Sequence, residues 1–93
     1  MQTSDRPSPE DRSSFLATAI RAAEAAGTVL LEHARSGFRI DYKAAINLVT
    51  DADRGAEESI VRTILSAHPS HRILAEERGE DGATDSPYRW VID

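Results

Sequence analysis

The chain has 93 residues, enough for one small domain, and its 40% hydrophobic and 29% charged residues are ordinary for a soluble globular protein. The formal net charge of −5 includes no long basic or acidic run, which argues against general binding to nucleic acid or a membrane surface. The absence of cysteine excludes disulfides and thiolate-based metal sites, so any metal must be held by oxygen or imidazole.

The first predicted element is a helix that follows a disordered lead-in at residues 1–7. The helix is expected to start near Ser8, because serine caps a helix, the next proline suits the first turn, and the two following acids favour the positive end of the helix dipole. Apolar residues recur at helical spacing from Phe15 to Leu31, in a wide alanine-rich stripe suited to close packing on a neighbour. Gly37 is the predicted end.

A strand, a loop and a second helix are predicted next. Phe38 to Tyr42 alternates apolar and polar residues, as a half-buried strand does, and Lys43 to Asn47 is expected to be a loop. Thr50 and Asp53 resemble a capping box and predict the start of the second helix. This helix should end before His68, because the proline that follows disfavours helical backbone in the preceding residue.

Two further strands are predicted, and each ends in a carboxylate. Arg72 to Ala75 is a short apolar run that meets Glu76, and Tyr88 to Ile92 reads as a strand with Asp93 at its tip. The segment 79–87 between them is rich in Gly, Asp, Ser and Thr and is expected to be a turn or mobile loop. The order of elements predicts an α/β or α+β domain. A stop on the last residue of a buried strand indicates truncation at the C-terminus.

The two carboxylates that follow strands are candidates for a cation site. Ligands in open α/β sheets gather at the carboxyl ends of strands, so Glu76 and Asp93 can converge on one cation if their strands are neighbours. A hard divalent ion requires anionic oxygens at fixed positions, which strand ends provide. Taken without further information, the residue types favour the simpler interpretation that both acids are turn residues.

Three sequence motifs in a fixed order favour the cation site over the interpretation as turn residues. Residues 47–53 read Asn-Leu-Val-Thr-Asp-Ala-Asp, residues 75–77 read Ala-Glu-Glu, and residues 90–93 read Trp-Val-Ile-Asp. In this order and spacing they resemble the inositol monophosphatase family, which has a V-T-x-A-D block, a strand ending in paired glutamates, and a W-V-I-D-P-x-D-G-T block. The resemblance covers about residues 15–93.

The resemblance implies roles for five residues. Glu76 matches the metal-binding glutamate that also orients the attacking water, so it is the expected catalytic residue, and Asp93 matches the first metal-binding aspartate of the family. Asp53 matches an aspartate near the metal cluster, and Lys43 fits the lysine of a mobile loop close to the site. Glu77 matches the second acid of the pair, for which a structural role is expected.

The resemblance also implies a fold and an activity. Residues 8–93 are expected to form the N-terminal part of the layered α/β (α+β) sugar-phosphatase fold, with two helices packed on a mainly antiparallel sheet. The implied activity is Mg²⁺-dependent phosphomonoester hydrolysis of the inositol-1-monophosphatase type. Alternatives are a 3′(2′),5′-bisphosphate nucleotidase or another sugar-phosphate phosphatase and, from another class, a non-catalytic helical dimerisation module. The 93 residues alone should be inactive, because the family's later site residues lie beyond them.

Expected partners follow from the resemblance and from the composition. The expected ligand is a small phosphate monoester, and the full-length protein is expected to be a homodimer that binds neither nucleic acid nor membrane. No stretch is expected to span a bilayer, and the polar N-terminus lacks the apolar core of a secretory signal, so the cytoplasm is the expected location.

Several conspicuous side chains receive plain structural interpretations. His68 and His71 flank a predicted turn in the pattern His-Pro-Ser-His and are expected to be surface residues. Glu57 and Glu58 are expected to lie on a solvated helix face. Trp90 is expected to anchor its strand in the core.

Overall fold

The computed structural model describes residues 6–36, 42–76, 78–82 and 85–93, without the side chains of residues 36 and 42–48. The predicted disordered lead-in therefore lies mostly outside the described residues. The elements in chain order are α1 (Pro9–Ser36), α2 (Tyr42–Ala67), β1 (Arg72–Ala75), β2 (Gly79–Gly82) and β3 (Arg89–Ile92).

The first helix begins with a reciprocal cap. The hydroxyl of Ser8 accepts a hydrogen bond of 3.1 Å from the backbone N–H of Asp11, whose carboxylate accepts one of 3.2 Å from the N–H of Ser8. This is a capping box with aspartate in the place of glutamate, and it confirms the predicted start of the helix. Ala22 and Ala26 on the buried face of α1 are 4% and 7% exposed. The predicted stop at Gly37 lies outside the described residues.

The second helix begins earlier than the sequence predicted. The strand predicted at residues 38–42 lies outside the described residues except for Tyr42, which is the first residue of α2. The loop predicted at Lys43 to Asn47 is wrong, because α2 runs through this segment, whose two alanines have the highest helix propensity of any residue. Thr50 therefore lies inside the helix and does not cap it. The predicted end before His68 is confirmed, since α2 ends at Ala67.

The three strands form one mixed sheet in the order β2-β1-β3, with β1 antiparallel to β2 and parallel to β3. The predicted fold class, two helices packed on a sheet, is confirmed, although the sheet is mixed where a mainly antiparallel one was expected. The core contains residues from both helices and from the central strand: Ala22, Val61, Ile64, Ile73 and Ala75. Trp90 packs against this core from β3, as predicted.

The segment predicted as a loop after Gly79 begins with a strand instead. Its first four residues form β2, which pairs with β1 from Ala75 opposite Gly79 to Arg72 opposite Gly82. The sequence Gly-Glu-Asp-Gly has poor intrinsic strand propensity, so its pairing depends on the neighbouring strand. Glu80 lies 3.8 Å from the Arg72 guanidinium across the ladder, a contact that favours this register.

The hydropathy of α1 corrects one further expectation. Pro9–Arg35 contains a window with a mean hydropathy of 1.3, which is long and apolar enough, by length and composition only, to cross a membrane. The expectation that no stretch meets this test is therefore wrong. The observation is weak evidence for a membrane span, since core helices of soluble proteins and signal sequences near the N-terminus pass the same test. Only 17% of the window is buried, although α1 contributes Ala22 to the core.

Candidate functional site

The carboxyl ends of β1 and β3 lie side by side. The parallel register pairs Ala75 with Ile92, and the backbone N–H of Glu76 donates a hydrogen bond of 3.0 Å to the carbonyl oxygen of Ile92. Glu76 and Asp93 therefore follow their strands at adjacent positions on one edge of the sheet. Glu76 and Asp93 could share a cation only if their strands were neighbours, and the structure shows that they are.

A cavity of about 310 Å³ opens at this edge of the sheet, and we call it the acidic cavity. Four carboxylate side chains line it: Asp53 and Glu57 of α2, Glu76 after β1, and Asp93 after β3. The remaining wall is apolar and is formed by Ala26, Leu30, Ala56, Ile60 and Ile92. Three of the predicted site residues, Asp53, Glu76 and Asp93, thus line the same space.

Glu57 is a site residue that the sequence analysis missed. It was expected on a solvated face, but it is 9% exposed, and Nε of Arg78 lies 4.0 Å from its Oε1. Glu58 behaves as predicted, since it is exposed and pairs with Arg62 at 2.8 Å. The available signal was the helical spacing, because Glu57 follows Asp53 by one turn and therefore lies on the same side of the helix.

The donor chemistry of the acidic cavity fits a hard divalent cation. Mg²⁺ is usually bound through one or two carboxylates and keeps its other positions for water and substrate phosphate. Glu76 and Asp93 could supply those two carboxylates from rigid strand ends. Among the described residues, no three Asp, Glu or His side chains form a group that could hold a metal ion by themselves. The metal-binding roles of Glu76 and Asp93 stay predictions.

Two of the predicted site residues cannot be assigned a position in the cavity. The backbone of Lys43 belongs to α2, and its side chain lies outside the described part of the chain. Glu77 also lies outside the described residues. Their expected places near the site stay predictions.

Five aromatic and imidazole rings form a second cluster at the opposite, amino-terminal edge of β1 and β3. We call this set the ring cluster, and its members are Phe15, His68, His71, Tyr88 and Trp90. The two imidazoles are stacked, with centroids 4.5 Å apart and planes at 6°. The phenyl ring of Phe15 meets both imidazoles edge-on at 5.2 Å, so the cluster joins α1 to the segment before β1.

The ring cluster corrects the expectation that both histidines are surface residues. His71 is 7% exposed and accepts a hydrogen bond at Nδ1 from the indole N–H of Trp90, whereas His68 is half-buried, with Nε2 3.0 Å from the Thr18 hydroxyl. Burial lowers the pKa of His71, the neighbouring His68 lowers it further, and the Asp11 carboxylate acts in the opposite direction.

Two packed helices, a mixed sheet and carboxylates at the ends of parallel strands define an α/β protein with an acidic site at a strand edge. Residues 11–93 match the inositol monophosphatase family, and the chain belongs to that family. The resemblance seen in the three sequence blocks is confirmed.

Several curated relatives align with most or all of the chain. It is 40% identical over 96 residues to inositol-1-monophosphatase of Synechocystis sp., an alignment that covers 100% of this chain and 33% of the relative. It is 37% identical over 82 residues to inositol monophosphatase of Dictyostelium discoideum, with 85% and 30% coverage. It is 36% identical over 81 residues to Nus factor SuhB of Escherichia coli, again with 85% and 30% coverage. The chain thus spans about a third of the length of these relatives.

Proposed function

We propose that the full-length protein is a Mg²⁺-dependent phosphomonoester hydrolase of the inositol-1-monophosphatase type. The observation that carries this proposal is the adjacency of Glu76 and Asp93 at the carboxyl ends of the parallel strands β1 and β3. Membership in the inositol monophosphatase family supports it, as do the two relatives that are named for this activity.

The charge of the acidic cavity explains why the proposed activity requires a metal. Four carboxylates line the cavity, and by themselves they would repel the dianion of a phosphate monoester. When bound, Mg²⁺ offsets the charge of the phosphate oxygens and lowers the pKa of a coordinated water. Glu76 and Asp93 would hold the cation, and the Glu76 carboxylate would orient the attacking water by accepting a hydrogen bond from it. Asp53, on the facing helix, adds negative charge that attracts the cation.

Inositol 1-phosphate is the first substrate to test, and 3′-phosphoadenosine 5′-phosphate represents the nucleotidase alternative. Because the chain spans about a third of its relatives' length, we expect the 93 residues alone to be inactive. Relatives named Nus factor SuhB match at similar identity, so a Nus factor role competes with the enzymatic one.

A non-catalytic dimerisation module is the alternative from another class, and one observation favours it. Helix α1 exposes several large apolar side chains: Leu16 62%, Ile20 50%, Leu30 44% and Leu31 58%. Such a stripe suits helix-to-helix association.

The decisive assay measures phosphate release from inositol 1-phosphate by the full-length gene product. The protein is first treated with a chelator, and Mg²⁺ is then added back to one of two matched samples. Release only after Mg²⁺ is added supports the proposal. If no phosphate is released from either inositol 1-phosphate or 3′-phosphoadenosine 5′-phosphate, the proposal is contradicted. An inactive protein that forms a dimer would favour the dimerisation module.

A further inference from the structure

The connection between β1 and β2 carries Glu76 at its first position. Ala75 pairs with Gly79, so only residues 76–78 join the two strands. Gly79 closes the connection with a φ of 73°, a left-handed conformation that is typical of glycine after a short hairpin loop. The backbone of Glu76, at the first position of the connection, is fixed by its hydrogen bond to Ile92.

Arg78, at the other end of this connection, lies between α2 and β2. Its Nε is 4.0 Å from Oε1 of Glu57 on α2, and its Nη1 is 3.7 Å from Oδ2 of Asp81 on β2. The Glu57 side chain is 10% exposed and that of Arg78 is 41% exposed, so this ion pair is only partly shielded from water. A nearly buried carboxylate requires a compensating charge, and Arg78 provides one.

Glu57 lines two cavities. It lines the acidic cavity with Asp53 and Glu76. It also lines a cavity of about 420 Å³ together with Arg54, Glu58 and Arg78. Arg78 lines the second cavity and not the acidic one, so Glu57 is the residue that connects Arg78 to the acidic cavity.

We propose that Arg78 is a positioning residue for Glu76. By pairing with Glu57 it holds its own end of the connection near α2, and this keeps the Glu76 carboxylate directed at the cation. The positive charge of Arg78 by itself disfavours a cation in the acidic cavity, so weaker Mg²⁺ binding in Arg78→Gln can come only from lost positioning. The inference rests on the proposed function in one respect, namely that Glu76 binds Mg²⁺.

The test compares three variants of the full-length protein with the wild type. Arg78→Gln removes the charge and keeps much of the side-chain length, Arg78→Lys keeps the charge, and Arg62→Gln is the matched control because Arg62 pairs with the exposed Glu58 on α2. Amide hydrogen exchange of residues 76–79 is measured without metal, and the Kd for Mg²⁺ is measured by calorimetry. We expect Arg78→Gln to accelerate exchange and to weaken Mg²⁺ binding about tenfold, the lower end of the range for residues that support metal ligands. Arg78→Lys should keep the exchange rate and the Kd for Mg²⁺ close to those of the wild type, and Arg62→Gln should change neither quantity.

The two measurements separate the inference from the function on which it rests. Unchanged exchange in Arg78→Gln would overturn the positioning role, and so would faster exchange with an unchanged Kd. A wild-type protein that binds no Mg²⁺ would overturn the proposed function, and the exchange data would still report whether Arg78 holds the connection. Circular dichroism of each variant checks that the helices are intact.

Discussion

The indole N–H of Trp90 donates a hydrogen bond of 3.0 Å to Nδ1 of His71. An indole nitrogen can only donate, so this bond requires that Nδ1 of His71 carry no proton. The folded state therefore holds the neutral imidazole with its proton on Nε2. The stacked ring of His68 faces the same imidazole at 4.5 Å, where a second positive charge would be repelled.

Acid should destabilise the folded protein through His71. Its pKa is lowered in the folded state from the ordinary value of 6.5, chiefly by burial and then by His68. The unfolded chain therefore binds the proton more readily, so this contribution to stability is fully present above pH 6.5 and is lost as the pH falls through the lowered pKa. Thermal melting of the full-length protein between pH 8 and pH 5 measures the effect. His71→Gln should flatten the pH dependence, and a profile as steep as that of the wild type would remove His71 as its source.

Removing the donor to His71 should also cost stability at neutral pH. Trp90→Phe keeps an aromatic ring in the core but leaves the buried Nδ1 without the indole N–H, and we expect a loss of about 1–3 kcal/mol. The free energy of unfolding of the full-length protein in urea measures it. Val91→Ala is the control in the same strand, because Val91 is 66% exposed and its truncation should change stability by less than about 0.5 kcal/mol. Equal effects of the two substitutions would contradict the hydrogen-bond argument.

Alanine substitutions at two glycines should change the stability of the protein in opposite directions. Gly82 has a φ of 75°, and a Cβ there would lie 2.5 Å from the carbonyl oxygen of His71, so Gly82→Ala should destabilise by more than about 1 kcal/mol. A Cβ on Gly27, inside α1, would meet nothing within 4 Å, and Gly27→Ala should stabilise by about 1 kcal/mol through helix propensity. Chemical unfolding of the two variants measures whether each substitution raises or lowers the free energy of unfolding. A neutral Gly82→Ala would show that β2 relaxes away from His71.

The sequence predicted correctly those elements that are determined by residues close together in the chain. The cap at Ser8, the end of α2 before His68 and the apolar strands that precede Glu76 and Asp93 all follow from neighbouring residues. These strands also supplied the candidate site, because a strand end indicates which acids stand at the edge of the sheet.

Features that depend on residues distant in the chain were not predictable in the same way. Strand β2 has no apolar alternation, and its pairing depends on β1, which it meets from Gly79 to Gly82. The burial of His71 depends on Phe15 from α1 and on Trp90 from β3, neither of which is near it in sequence. The burial of Glu57 likewise depends on how α2 packs over the strand ends.

Substitution of the proposed metal ligands should reduce the activity of the protein and leave its stability nearly unchanged. Glu76 and Asp93 are exposed in the acidic cavity, where Asp53 and Glu57 add like charge, so Glu76→Gln and Asp93→Asn remove repulsion without opening the core. We expect stability in the absence of metal to change by less than about 0.5 kcal/mol, as for other surface substitutions. Turnover of inositol 1-phosphate by the full-length protein should fall by about a hundredfold or more in each variant, because removal of a group that stabilises the transition state has effects of this size. Glu58→Gln, on the outer face of α2, is the matched control and should retain full activity. Wild-type turnover in either site variant would remove that residue from the proposed site, whereas a loss of activity accompanied by unfolding would show that the carboxylate is structural.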